Sequence, residues 1–278
     1  MRLYAAASNN HIGIAAMNAE PATNRLVTFA YPDTRDQLLG HRSPGTRIML
    51  DSGAFSAHHS GNVITPDALA REAQWPKYDE VVALDDMTDP AKSYANAKHL
   101  QETRPDCIAT FHMGEDFTWL IKYRTEFTKI GLGGIVGKHH NQKAQWLAKV
   151  FAMAWPARFH IFGCHSPDLL MRFPAESADA TSWASILAHG FYNSRGASFG
   201  EVYRNAKIHL RGTLQDLREL QNDLTARWRE TLDPVSPKGY HDHGDGKTLS
   251  NYMHPPHPIL RRASRVRSRK QMRASPRP

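Results

Sequence analysis

Cysteine is scarce: two residues in 278, Cys107 and Cys164, with no C-x-x-C spacing. That excludes a disulfide framework and points to a reducing, cytoplasm-like compartment. Long apolar runs are missing, and none approaches the roughly 18–20 residues that a membrane helix needs. The opening MRLYAAASNN lacks the apolar core of a secretory signal, so none is expected. Acids are absent from residues 261–278, which hold seven Arg and one Lys. Taking those eight from the 35 basic residues leaves 27, equal to the 27 acids, so the net charge of +8 belongs to one segment. A hydrophobic share of 41% with only 22% charged residues excludes a disordered or collagen-like chain. The length fits one large α/β domain or two small ones, and no internal repeat is visible.

Short apolar runs recur at 2–8, 47–53, 78–86, 107–115, 129–137 and 158–166, each with the four to six apolar or β-branched residues of a buried strand. Helix-like stretches separate them. TPDALAREAQW (65–75) opens with Thr65 as N-cap and Pro66 at the first position. Residues 89–105, 140–155 and 166–173 complete the set. This alternation predicts a parallel α/β sheet, and a (β/α)8 TIM-like barrel is favoured over an open sheet. Asp51, Asp85, His112, Gly133 and Gly134 all fall at the C-terminal ends of strand candidates, where a barrel enzyme assembles its site. Leu214, Leu217, Leu220, Leu224 and Trp228 give 212–232 one apolar face, a C-terminal helix packed on the barrel. The organisation expected is therefore a barrel domain over 1–232, a Pro/Gly/His-rich linker over 233–260 and a disordered basic tail over 261–278.

LDSGAFSA (50–57) puts Asp51 at a strand end, followed by Ser52 and Gly53. It reads either as a reactive carboxylate or as an Asp capping the next turn. Asp85 and Asp86 are adjacent acids that repel unless a donor ligand or metal lies between them, or unless they sit in a solvated turn. Asp179, in SADATSW (177–183), is a weak signal alone. GLGGIVG (131–137) is not a dinucleotide fingerprint, because Val136 takes the last glycine's place, but its paired glycines suit a ligand oxygen. GASFG (196–200) matches a serine-hydrolase elbow but lacks the apolar strand before it. His241, His243, His254 and His257 lie in the linker, with no regular element to fix metal geometry.

Taken in order, these segments resemble the tRNA-guanine transglycosylase superfamily, and most closely its branch that inserts 7-deazaguanine bases into phage and bacterial DNA. DSGAF (51–55) resembles the family's Asp-Ser-Gly-Gly-Phe/Tyr, and ALDDMT (83–88) its Phe-Asp-Glu-Cys-Thr. FHMGED (111–116) falls where the family has Val-Gln-Gly-Gly, with His112 in place of Gln. IGLGGIVG (130–137) resembles Gly-Gly-Leu-Ala-Val-Gly, FHIFGCHSPDLL (159–170) the strand and helix start after it, and DATSW (179–183) the branch's Asp-Ser-Thr-Ser-Trp. The likeness covers about residues 45–185. The zinc subdomain of the tRNA enzymes, built on a Cys-x-Cys-x-x-Cys…His pattern, is missing, which favours DNA over tRNA and implies no metal and no cofactor.

The resemblance implies a pentosyltransferase. Asp179 would attack C1′ of a deoxyguanosine and form a covalent glycosyl-enzyme, guanine would leave, and a free 7-deazaguanine base would enter with net retention. Asp51 would shuttle the proton. Asp85, with Asp86, would bind the base's donor edge, Ser52 and Gly53 would help to hold it, and Gly133 and Gly134 would face its oxygen with His112 assisting. A three-residue slip in the alignment would place Ser182 at the nucleophile position instead. Rival readings are exchange on tRNA, an unrelated barrel hydrolase using Asp51 and Asp179, and a non-catalytic nucleic-acid-binding protein. Arg261, Arg262, Arg265, Arg267, Arg269 and Lys270 would pair with phosphates, or the segment merely aids solubility.

Deleting residues 261–278 tests the charge arithmetic. If the tail grips phosphates, DNA affinity falls and the slope of log affinity against log salt flattens by about 0.9 per lost contact. An unchanged slope would make the tail a bystander.

Overall fold

The computed structural model describes residues 1–7, 9–164, 166–184 and 199–232. The linker, the basic tail and the four linker histidines lie outside the described residues. Eight strands alternate with nine helices in the described chain: β1 (Arg2–Ala6), α1 (His11–Ala19), β2 (Arg25–Thr28), α2 (Pro32–Leu39), β3 (Ile48–Asp51), α3 (Ala54–Ser60), α4 (Pro66–Ala73), β4 (Glu80–Val81), α5 (Pro90–Gln101), β5 (Ile108–His112), α6 (Phe117–Glu126), β6 (Lys129–Gly133), α7 (His140–Ala154), β7 (Arg158–Ile161), α8 (Pro167–Arg172), β8 (Ser177–Ala180) and α9 (Phe199–Trp228). All pairings are parallel, in the order β4-β3-β2-β1-β8-β7-β6-β5. A parallel bridge between Val82 and Ile108, with the Ala83 N–H donating to the Ile108 carbonyl at 2.9 Å, brings the two outer strands together. The result is the expected (β/α)8 barrel. No helix among the described residues is long and apolar enough to cross a membrane.

The helix starts follow the sequence signals. The Thr65 hydroxyl accepts from the Ala68 N–H at 3.2 Å, and the Asp89 carboxylate from the Lys92 N–H at 3.0 Å, each with Pro at the first helical position. Three features differ from expectation. β2 and β8 are strands that the apolar runs do not reveal: SADA is small and polar, and RLVT offers only Leu26 and Val27 as bulky apolar residues. The last helix begins at Phe199, well before 212, so the end of the GASFG segment opens a helix.

Period-two alternation sorts every strand between two cores. Leu3, Ala5, Ile48, Leu50, Ala109, Phe111, Ile130, Leu132, Phe159 and Ile161 pack outward under the helices. Tyr4, Ala6, Leu26, Met49, Val82 and Ile108 fill the lumen with Phe162. Gly131 has no side chain because a Cβ there would lie 2.4 Å from the Phe162 ring. Below this layer, Glu80 and Glu176 answer Arg2, Lys129 and Arg158 at the barrel floor; Arg2 and Glu80 are 2.9 Å apart.

Helix α9 covers the seam between the first and last strands. Gln221 Oε1 accepts from the Leu3 N–H and the Asn24 amide, both at 2.8 Å, and the Trp228 indole N–H donates to the Leu170 carbonyl at 2.9 Å. Trp228 is fully buried. Trp228→Ala is expected to lower unfolding free energy by about 3–5 kcal/mol, as truncation of a buried aromatic does. Urea denaturation gives the value, and a loss under 1 kcal/mol would show that α9 is not part of the folding unit.

Candidate active site

The parity that fills the lumen also aims the site. Thr28 follows Leu26, Asp51 follows Met49, Thr110 and His112 follow Ile108, Gly133 follows Lys129 and Gly131, and Asp179 follows Ser177, each two residues on and so on the same face. At the C-terminal ends of the strands these residues surround one cavity of about 330 Å³, shared with Ser52, Asp85, Gly134, Phe162 and Gly163. Of the expected residues, Asp51, Ser52, Asp85, His112, Gly133, Gly134 and Asp179 are thus brought together.

Asp51 carries the strongest electrostatic signature. Burial, then the charge of Asp85, then that of Asp179 push its carboxyl up to about 7, against the opposing hydrogen bonds from the Gly53 N–H and the Thr28 hydroxyl. The Gly53 N–H lies 3.0 Å from Asp51 Oδ2. Gly53 does not line the cavity; it shapes the turn. Its φ is +80°, and a Cβ would sit 2.8 Å from Ala30 Cβ and Thr28 Oγ1.

Asp85 is held on both oxygens. Ser52 Oγ donates to Oδ1 at 3.2 Å, and His112 Nε2 lies 2.9 Å from Oδ2. His112 Nδ1 lies 2.9 Å from Glu115 Oε1. Burial alone would lower the histidine, but hydrogen bonds to Asp85 and Glu115 outweigh it and raise it to about 9. The ring is therefore a cation at neutral pH, with both N–H groups committed to carboxylates. It steadies Asp85 from within the cavity that Gly133 and Gly134 also line. Gly133 makes room for that ring, since a Cβ would fall 2.7 Å from His112 Cδ2. Gly134 has φ +73°, and a Cβ there would lie 2.9 Å from the Met113 nitrogen.

Asp179 sits 8% exposed in β8. Its Oδ1 lies 3.1 Å from His160 Nε2 and accepts from the Gly163 N–H at 3.2 Å. No residue among those described hydrogen-bonds its Oδ2. His160 is fully buried; burial, only partly offset by Asp179, lowers its pKa and keeps it neutral. Ser182, the alternative under a shifted alignment, lies beyond the strand in the turn Ser182–Ala184 and does not line the cavity.

Asp86 is largely committed to its own turn. Its Oδ1 accepts from the Thr88 N–H at 3.0 Å, the Thr88 hydroxyl at 2.9 Å and the Asp89 N–H at 3.1 Å, and Lys92 lies 2.9 Å from Oδ2. The Lys92 hydrogen bond, followed by those from Thr88, holds it well below the usual carboxylate range. It ties the turn into α5 and, with Asp85, lines a neighbouring cavity of about 200 Å³, while only Asp85 lines the cavity that holds Asp51 and Asp179.

Sequence reading missed His160, Glu115, Thr28 and Phe162. His160 carried a usable signal: it is the one polar residue in FHIF (159–162) and stands two residues before Phe162, on the lumen parity. Among the described residues, no group of three His, Cys, Asp or Glu is arranged to hold a metal ion.

No family profile and no curated protein matches the chain. Solved structures do. A protein assigned as a fructose-1,6-biphosphate aldolase from Coccidioides immitis superposes with TM-score 0.50 at 8% identity, covering 81% of this chain and 93% of that one. A tryptophan synthase α-subunit variant from the hyperthermophile Pyrococcus furiosus gives TM-score 0.50 at 12% identity, covering 79% and 97%. At such identities the likeness concerns the barrel alone.

The raised Asp51 carboxyl has a cost in stability. A folded-state pKa near 7, above the ordinary value of about 4, means that stability present below pH 4 is lost as pH rises through 7. Asp51→Asn should therefore melt higher than wild type at pH 8 and approach it at pH 4. Calorimetry at both pH values checks this; equal melting at pH 8 would place Asp51 in an ordinary carboxylate environment.

Proposed function

We propose that the protein is a base-exchanging pentosyltransferase, replacing guanine in DNA with a 7-deazaguanine base through a covalent glycosyl-aspartyl intermediate. The observation that carries the reading is the pairing of two carboxylates with unlike settings on one cavity. Asp51 is poised to hold a proton near neutral pH. Asp179 keeps one oxygen fixed and presents the other. Such a split in environment assigns acid and nucleophile between two like groups.

Asp179 Oδ2 attacks C1′ as the C1′–N9 bond breaks, and Asp51 delivers its proton to the departing guanine. The incoming base returns its N9 proton to Asp51, N9 attacks C1′, and the ester bond to Asp179 breaks. Each step leaves the enzyme's protonation balanced over one cycle. Asp85, steadied by Ser52 and the His112 cation, accepts from the donor edge of either base. Polar groups fixed this way discriminate strongly against a ligand that lacks the matching donors.

Two surface features suit a nucleotide extruded from a strand. Phe55 and Val136 line the cavity yet are 58% and 66% exposed, giving an apolar lip for a base face. No Asp or Glu occurs from 127 to 167, and within that span Lys138 is exposed two residues after Val136. A basic margin beside Val136 favours a phosphodiester partner.

Purified protein, duplex DNA and labelled guanine test the reading. Wild type should incorporate label, and Asp179→Asn should not, while still binding DNA. Incorporation into tRNA but not DNA would change the substrate. Release of guanine with no acceptor base would indicate a hydrolase. Normal exchange by Asp179→Asn would remove the mechanism.

A further inference from the structure

A column of buried polar side chains runs from the barrel floor to Asp179. Lys129, at the start of β6, is 4% exposed and pairs with Glu80 and with Glu176, the latter at 3.4 Å. Its ammonium also donates to Ser177 Oγ at 2.8 Å. Ser177 Oγ lies 2.8 Å from His160 Nδ1, and His160 Nε2 lies 3.1 Å from Asp179 Oδ1. Ser177 and His160 are both fully buried, so water does not complete or interrupt the series.

The direction of every proton in this series follows from its first member. An ammonium has donors only, so Ser177 Oγ must accept from it. The one hydroxyl hydrogen then goes to the remaining neighbour, Nδ1 of His160. Nδ1 is thereby an acceptor, and a neutral imidazole must carry its hydrogen on Nε2, facing the carboxylate. The opposite tautomer fails twice. Ser177 would accept from both sides with its own hydrogen unplaced, and a bare Nε2 lone pair would face Asp179 Oδ1 at 3.1 Å.

We infer that Lys129 and Ser177 are positioning residues: they lock His160 in the Nε2–H tautomer, which pins Asp179 Oδ1 and leaves Oδ2 for the cavity. The consequence for rate rests on the base-exchange reading; the tautomer does not. Selective labelling of histidine with ¹⁵N in the full-length protein separates the two. The His160 signals, identified by their loss in His160→Gln, should show a bare Nδ1 and a protonated Nε2 at neutral pH. In Ser177→Ala the two tautomers should mix, and kcat for exchange should fall roughly ten- to a hundredfold with KM for DNA unchanged. Ser177→Thr, which keeps the hydroxyl, should restore both. A wild-type His160 protonated on Nδ1 overturns the inference without any variant, as does a Ser177→Ala protein with an unchanged tautomer and rate. The expected tautomer in a protein that exchanges no base would uphold the relay and sink the exchange reading.

Discussion

The closed parallel barrel imposes one constraint on which the rest depends: each strand owns a single face toward the common axis. Eight short strands therefore deliver side chains to the same narrow column at two-residue intervals. At mid-height the column is largely apolar, with Tyr4, Leu26, Met49, Val82 and Ile108 clustered beside the buried His160 ring. Above it the parity continues unchanged, but the residue types become Thr28, Asp51, His112 and Asp179. The site is the top layer of the core, and its precision comes from strand pairing. Tyr4 pairs with Asp179 and Thr28 with Asp51 in the ladders, which ties two acids to one frame.

Crowding acids into a low-dielectric mouth is unfavourable unless something answers them. The two solutions used here differ. Asp85 receives a cation, His112, which a second acid, Glu115, keeps charged. Asp51 receives only a backbone N–H and a hydroxyl, and it takes up a proton as its remedy. One carboxylate is held between a cation and a hydroxyl, and the other is left able to take up a proton. That difference carries chemical meaning that the mere presence of several acids in a cleft would not.

Much of this was legible in the sequence, and the gaps have physical causes. Six strands are visible because buried parallel strands are near-continuous apolar runs, as in RIMLD and CIATFH. β8 was not, because SADA is small and polar: its residues face either the column or tightly packed helices, and neither face demands bulk. Asp51, Asp85 and His112 could be placed because each ends a recognisable strand. Asp179 needed the family resemblance, since its strand was invisible. The different duties of Asp85 and Asp86 are hidden by their adjacency, since only the folded turn commits Asp86 to Thr88, Asp89 and Lys92. His160 is hard to single out because a lone histidine in an apolar run usually packs in a core; only the strand pairing shows that Ser177 and Asp179 lie on the neighbouring strand.

The first strand is a partner of the last. β1 pairs along its length with β8, 175 residues later in the ladder from Arg2 to Ser177, and α9 then bonds back to Leu3 and Asn24. During synthesis, that side of β1 must wait while nearly the whole barrel emerges. Until then it is an exposed parallel edge able to recruit the wrong strand. Such long-range pairing makes assembly slow. The interval between making β1 and making β8 is thus the span over which the nascent chain carries an edge open to mispairing.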